Sequence, residues 1–308
     1  MTTKIDFSSF KYGINLTQYA AHLGYEIDRK KSTRNSIAMR KSNEDKIIIS
    51  KRGGNWIYFS VYNDQDNGTI IDFVRNRSSK SLYEIGKELQ VWIGGNIALP
   101  EPTKFVNHVE ERQPDPRRVQ RLFNYCSLVY DHEYLKNRGI TAEALKSPRF
   151  SGRVFQDHYN NAVFPHFNDN QVCALELKGN NIDLFVEGSE KTLWRSNTRK
   201  GDDTLIISET PIDALSYQIL YALSSAFYTS TCGGFSSLQS DLINKLVTDV
   251  SWVNQVILIT DNDEGGDAIT DRLNAIITNS NYTGSLTRHS PDIRGLDWND
   301  VLKNEIEI

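Results

Sequence analysis

Cysteine is scarce. Cys126, Cys173 and Cys232 are the only three among 308 residues, and positions 1–118 hold none. An odd, widely spaced set builds no disulfide framework, which excludes the small stapled folds of secreted domains. Long apolar runs are missing as well. A strand-like run such as 256–259 falls far short of the about 20 residues that cross a bilayer. The opening MTTKIDFSSF lacks the basic-then-apolar order of a secretory signal. These absences leave a soluble, cytoplasmic protein with no membrane partner. Hydrophobic residues make up 39% of the chain, with 13 Phe, 14 Tyr and 5 Trp, enough for real cores and against wholesale disorder. At roughly 100–200 residues per domain, the length allows about two domains or three small ones.

The net charge of -4 hides an asymmetry. Residues 1–118 carry 19 Lys/Arg against 14 Asp/Glu, whereas 119–308 carry 16 against 25. Within the first part, Arg29, Lys30, Lys31, Arg34, Arg40, Lys41, Lys46, Lys51 and Arg52 face only Asp28, Glu44 and Asp45. Such a cluster attracts polyanions by releasing their counterions. On charge alone a solvated hairpin surface is an equally good reading. The acidic second part is a poor bulk binder of nucleic acid; acids that act on phosphates do so through metal ions.

A linker is expected over 94–118, where Gly94, Gly95, Pro100, Pro102, Pro114 and Pro116 occur without apolar periodicity. Before it, 1–93 reads as a small α+β module. It has a helix at 16–24, strands at 46–50 and 55–62 around Gly53 and Gly54, and helices after Gly68 and at 82–89. After it, 119–138 reads as one helix, followed by strands at 161–165 and 171–178. From 203 to 308 short apolar strands (205–208, 226–231, 256–260, 285–288) alternate with helices (212–223, 236–247, 267–277), which predicts a parallel, Rossmann-like sheet.

In such a sheet ligands sit beyond the carboxyl ends of the strands. The first strand runs into Glu209, the second into Cys232-Gly233-Gly234, and the third into D-N-D-E-G-G, with Asp261 and Asp263 in one loop. Three acids thus share a rim. Gathered carboxylates repel and raise one another's pKa unless a cation neutralises them, and a hard divalent ion is the natural solution. Acids after strands also cap helices, and Asp213 and Asp267 fit that role.

Glu209 after one strand and Asp261-x-Asp263 after a later one resemble the TOPRIM domain of bacterial-type primases, topoisomerases and some nucleases. E-T-P-I-D-A-L at 209–215, C-G-G at 232–234 and L-D-W-N-D at 296–300 are similar to its primase form. Y-L-K-N-R-G-I at 134–140, F-P-H-F-N-D at 164–169 and K-T-L-W at 191–194 look like the preceding part of a primase core. The resemblance implies an α/β TOPRIM domain at 203–308 behind an α+β primase-like subdomain at 119–202. It implies Mg²⁺ or Mn²⁺ held by Glu209, Asp261 and Asp263, with Asp213, Asp267, Asp297 and Asp300 as second-tier candidates. It also implies a basic ridge of Lys178, Lys191 and Arg195, with Arg138 in its R-G-I turn. The family more often has arginine where Lys178 stands, and a lysine replaces a bidentate phosphate fork by a point charge.

I-N-L-T-Q-Y-A-A-H-L-G at 14–24, W-I-Y-F at 56–59 and N-G-T-I-I-D-F-V at 67–74 resemble the zinc-ribbon domain at the head of bacterial primases. The family's cysteine ligands are absent, so the implied relative is a mobile-element type without zinc. Lys30, Arg34, Arg40 and Lys51 are its template-binding candidates, with Trp56 and Tyr58 as base-stacking groups unless they belong to the core. The implied activity is primer synthesis on single-stranded DNA from nucleoside triphosphates. The chain ends eight residues after Asp300, so a helicase, relaxase or other replication protein would have to be met by a separate protein or surface. A metal-dependent nuclease and a non-catalytic nucleic-acid-binding module remain alternatives.

Overall fold

A computed structural model describes residues 5–42, 45–52, 54–63, 66–93, 105–234, 236–249 and 252–306. Glu44, Gly53 and the 94–104 part of the expected linker lie outside these residues. The chain divides into two compact units, Met1–Gln113 and Pro114–Ile308.

The first unit contains α1 (Phe7–Gly13), α2 (Leu16–His22), β1 (Glu26–Ile27), β2 (Ser36–Arg40), β3 (Lys46–Arg52), β4 (Asn55–Ser60), β5 (Asn67–Gly68), α3 (Ile70–Arg75) and α4 (Leu82–Ile93). Its five strands form an antiparallel sheet in chain order. Alternation in β3 and β4 sends Ile47, Ile49, Trp56 and Tyr58 into a core with Leu16, Tyr19, Ile70 and Phe73. Trp56 and Tyr58 are 3% and 2% exposed, so they are core residues and not a stacking platform. The start of the described linker segment also belongs to this unit. Val109 is buried in the same core, the Val106 carbonyl accepts from Asn15 and Thr17, and the Glu110 N–H donates to the Arg34 carbonyl.

Arg77 is the polar hub of this unit. Its guanidinium donates to Asp66 at 2.7 and 3.0 Å and to the Tyr25 hydroxyl at 2.6 Å, lies 3.5 Å from Asp45, and stacks 4.1 Å from the Phe73 ring. Burial by itself would raise the Asp66 pKa, but hydrogen bonds from Arg77, Tyr58 and Asn76 outweigh it and hold the carboxyl below its usual value.

The second unit opens with α5 (Pro116–Phe123), β6 (Ser127–Leu128), α6 (Glu133–Lys136), α7 (Ala142–Lys146), β7 (Phe155–Gln156), β8 (Ala162–Asn168), β9 (Gln171–Gly179) and β10 (Ile182–Phe185). Strands β6 to β10 make an antiparallel sheet. The single helix expected over 119–138 is instead α5, a short strand and α6. The apparent period was misleading: Leu122, Tyr125 and Leu128 are exposed, and only Val129 and Leu135 of that set are buried. At the β8–β9 hairpin, Asp169 and Asn170 both take positive φ (45° and 67°), the backbone that a tight two-residue turn requires.

The third sheet holds β11 (Trp194–Arg195), β12 (Thr204–Ser208), β13 (Ala226–Ser230), β14 (Gln255–Ile259) and β15 (Ser285–Arg288) in the order β11-β13-β12-β14-β15. The last four run parallel, and β11 is an antiparallel edge. Helices α8 (Pro211–Tyr221), α9 (Ser237–Asp249), α10 (Glu264–Thr278) and α11 (Trp298–Ile306) complete the unit. Pairing of Ser208 with Ile259 sets the consequence for function: the chain leaves β12 and β14 side by side, just before Glu209 and Asp261. No helix among the described residues is long and apolar enough to cross a membrane.

Candidate active site

The turn after β12 begins with Glu209, 8% exposed, whose Oε1 accepts the Asp261 N–H at 3.0 Å. That bond ties the ends of the two central strands together. Burial is the main reason the Glu209 pKa is raised. The Asp261 N–H and the charge of Arg288 oppose the rise, whereas Asp263 and Asp297 add to it.

Asp213 stands at the third position of α8. Its carboxylate accepts from the N–H and hydroxyl of Thr210 while the Thr210 hydroxyl accepts the Asp213 N–H, a reciprocal cap worth about 1 kcal/mol. Yet Asp213 is also 2% exposed, and burial followed by the charge of Asp297 pushes its pKa up. It is a cap that also adds charge to the acidic centre.

Asp261 is the extreme case. Burial first, then the like charges of Asp213, Glu209, Asp297 and Asp263, drive its pKa far above the usual carboxylate range. Its Oδ1 is buried and has no hydrogen-bond partner. Asp297, at the head of α11, is likewise raised by burial although it accepts the Asp300 N–H at 2.6 Å. Four carboxylates therefore share one field, and among the described residues none forms an ion pair with a basic side chain.

Asp263 sits at the rim of this group and is exposed. It caps α10, its Oδ1 accepting the Gly266 N–H at 2.7 Å. Gly266 is required there, because a Cβ would run into the backbone of Asp261. Asp267 lies apart from the four. It is half-buried and paired with Arg288 and Arg294 at 2.7 and 2.8 Å, which hold its carboxyl below the usual value. Asp300 approaches Lys303 at 3.8 Å.

The expected basic groups are mostly engaged. Lys178 is buried, 2.7 Å from Asp183 and 3.2 Å from Glu176. Lys191 donates to the carbonyls of Cys232 and Gly234 at 2.6 and 2.9 Å. Arg138 donates to Asn299 Oδ1 at 3.1 Å, and Asn299 Nδ2 returns a bond to the Arg138 carbonyl at 2.7 Å. Arg195 is exposed on β11. Its guanidinium still loses hydration to surrounding groups and feels the like charge of Arg153, and both effects lower its pKa. In the first unit Lys30, Arg34 and Arg40 are exposed, Arg34 pairs with Glu110 at 3.4 Å, and Lys51 lies 4.6 Å over the Trp56 ring.

Sequence reasoning missed Arg288, which donates to the Asp261 carbonyl at 2.8 Å, and Asn299, which fixes Arg138. Arg288 closes a fourth parallel strand, so the strand-end rule could have found it; Asn299 stands inside the L-D-W-N-D string at 296–300, but the string does not give its role. Phe59 was missed too. It is 49% exposed opposite Ile48, on the sheet face that carries Arg40.

The comparisons with known proteins agree with this geometry in one region. Residues 206–302 match the family described as Toprim-like. This stretch is a Toprim-like domain. Residues 133–202, ahead of the Toprim-like domain, match a family described as a protein of unknown function (DUF3991). No curated protein matches the chain. Among solved structures, the chain is similar to the primase fragment of the bacteriophage T7 primase-helicase protein, with 14% identity over 57% of this chain and 71% of that one and a TM-score of 0.41. It is similar to the Aquifex aeolicus primase with its zinc-binding and RNA polymerase domains (13%, 98% and 83%, 0.39), and to a DNA primase domain from Pseudomonas aeruginosa (14%, 56% and 66%, 0.39). At these identities and TM-scores the likeness carries no argument about chemistry. That argument rests on the carboxylates of the Toprim-like domain.

Proposed function

We propose that the Toprim-like domain is the phosphoryl-transfer centre of a primase-like nucleotidyltransferase, joining nucleoside triphosphates on single-stranded DNA with Mg²⁺ or Mn²⁺. The observation that carries this reading is the buried, partnerless Asp261 Oδ1 among Glu209, Asp213 and Asp297. An all-carboxylate donor set of this kind fits a hard divalent cation. Asp261, Glu209 and Asp297 would hold it, with Asp213 and the exposed Asp263 completing the negative field. The bound ion supplies charge neutralisation at the triphosphate and a lowered pKa for the attacking 3′-hydroxyl.

The chain's own groups do the positioning. Glu209 holds the Asp261 N–H and so fixes the loop that carries both rim aspartates. Thr210 keeps one face of the Asp213 carboxylate occupied, which leaves that group a contributor of charge more than of ligand atoms. Arg288 braces the Asp261 carbonyl, and Asn299 holds Arg138 close enough to Asp297 for its charge to be felt there. Arg195, exposed on β11, would offer its guanidinium to phosphate. In the first unit, Lys30, Arg34, Arg40 and Lys51 would bind template phosphates, with Phe59 rather than Trp56 as the stacking ring.

One observation favours a second reading. Lys178 is tied to Glu176 and Asp183 and presents no free ammonium to a nucleotide; a metal-dependent nuclease, in which water attacks, needs no such grip. Incubation with single-stranded DNA, labelled nucleoside triphosphates and Mg²⁺ or Mn²⁺ separates the two. Priming predicts short labelled products that Asp261→Asn eliminates. Identical product from wild type and variant removes the reading, and metal-dependent DNA cleavage without nucleotides replaces it by the second.

A further inference from the structure

A second group of potential ligands lies outside the acidic centre. His166 of β8, Glu176 of β9 and Cys232 just after β13 point their donor atoms toward one another, all within 4.8 Å. His166 and Glu176 are 0% and 2% exposed and Cys232 is 8% exposed. One ligand atom here is orphaned: Glu176 Oε2 is buried without a hydrogen-bond partner. Native interiors seldom leave such groups unpaired without a reason.

The spacing of the His166–Cys232 pair suits a metal. His166 Nε2 is 3.4 Å from Cys232 Sγ. With Zn–N near ~2.0 Å and Zn–S near ~2.3 Å, a tetrahedral ion sets those two ligands about 3.5 Å apart. Cys232 holds its thiol there through a left-handed backbone, φ 56°, uncommon for a residue with a Cβ. Its N–H is anchored on the Ser230 hydroxyl at 3.1 Å. The Thr192 backbone lies against the His166 ring, the position from which a carbonyl orients a ligating imidazole. A nucleophilic role does not fit, since the thiol is enclosed and held as the neutral form by its burial.

We propose that His166, Glu176 and Cys232 form a binding site for a thiophilic divalent ion of the zinc class, joining the β6–β10 sheet to the Toprim-like domain. Imidazole, thiolate and carboxylate are the donor types zinc accepts, and magnesium does not take thiolate. Binding displaces the Cys232 thiol proton to solvent and uses the unpaired Glu176 oxygen, while the other stays with Lys178. Lys191, fixed on the Cys232 carbonyl, and Lys178 both stand next to ligand residues. An ion here would therefore fix the placement of the two lysines relative to the acidic rim. The site departs from the expectation of no zinc, which rested on the cysteine-free first 118 residues.

The test uses the full chain, stripped of metal and titrated with Co²⁺ alone, then with Zn²⁺ in competition. One equivalent of the bound cobalt should give a thiolate-to-cobalt charge-transfer band, cobalt at the acidic rim adding none, and zinc should bleach it. Cys232→Ser should abolish the band and His166→Gln weaken binding at least ten-fold, whereas Cys126→Ser and Asp261→Asn should keep it. Absence of the band in folded wild type overturns the proposal, because the pair is then only a thiol–imidazole hydrogen bond. Survival of the band in Cys232→Ser overturns it too, as does loss of cobalt binding only in Asp261→Asn. Failure of priming in the earlier assay leaves this readout untouched, so the two proposals fall separately.

Discussion

Asp45 and Asp66 in the first unit gather around Arg77, whereas Glu209, Asp213, Asp261 and Asp297 in the second gather around no cation that the described chain supplies. Both groups are partly withdrawn from water. In the first, burial raises Asp66 but charge-assisted hydrogen bonds reverse the effect. In the second, burial and mutual repulsion act in the same direction, and Asp261 keeps a buried oxygen unpaired. The first arrangement is complete as folded and contributes to stability. The second is costly as folded, and on the proposed reading a bound cation would relieve it, as at a site rather than in a scaffold.

The largest expected effect breaks the second cluster. Asp261→Asn should lower primer synthesis roughly a thousand-fold, the scale on which preorganised charge contributes to catalysis, while leaving the fold intact in circular dichroism. The same substitution should raise the melting temperature of metal-free protein, since it removes one of several repelling carboxylates. Next comes Arg77→Met, which should do the reverse. It leaves Asp66 without its partner and should cost about 3 kcal/mol in denaturant unfolding, with little change in divalent-ion binding.

The two clusters should also respond oppositely to pH. Asp66 has a folded pKa below its unfolded one, so its stabilisation is present above the ordinary 3.8 and is lost as pH falls through the lower folded value. Asp261 and Asp213 have folded values above 3.8, so the folded metal-free protein holds protons the unfolded chain has released. Their contribution declines as pH rises from the ordinary carboxylate range toward those raised values. Thermal unfolding across that range, with and without Mg²⁺, should show the alkaline loss recovered by the ion in wild type but not in Asp261→Asn. A pH-independent difference between the two proteins would contradict this account.

The smallest effects concern the outer face of the first sheet. Phe59→Ala should weaken single-stranded DNA binding by about 1–3 kcal/mol, as loss of one stacking ring does. Arg40→Ala should reduce the salt dependence of binding by about one unit of slope. Fluorescence anisotropy at several salt concentrations measures both.

Much of the third sheet, in the second unit, was legible because short apolar strands alternate with amphipathic helices, and because residues after parallel strands share a rim. Glu209 and Asp261 could be located that way before any contact was known. The sequence did not reveal which acids would crowd most closely. Asp213 and Asp297 lie in the field of Asp261, while Asp267 turns to Arg288 and Arg294; helix-start position alone does not distinguish them. The helix expected over 119–138 failed because a run of apolar residues near a 3.6 period included several that face water. Strands β1, β2 and β10 escaped notice because they are short and mix charged or small residues into the alternation. Arg77 and the His166–Glu176–Cys232 group join residues far apart in the chain, and local pattern carries no trace of them.

The central claim is that the acidic rim exists to hold a divalent ion. Crystals of the full chain soaked in Mn²⁺ and measured at the manganese edge test it most directly. The account predicts an anomalous peak bonded to Asp261 and to Glu209 or Asp297, absent from Asp261→Asn crystals. A rim that stays free of manganese at saturating concentration, with the four carboxylates paired to basic side chains instead, would contradict it.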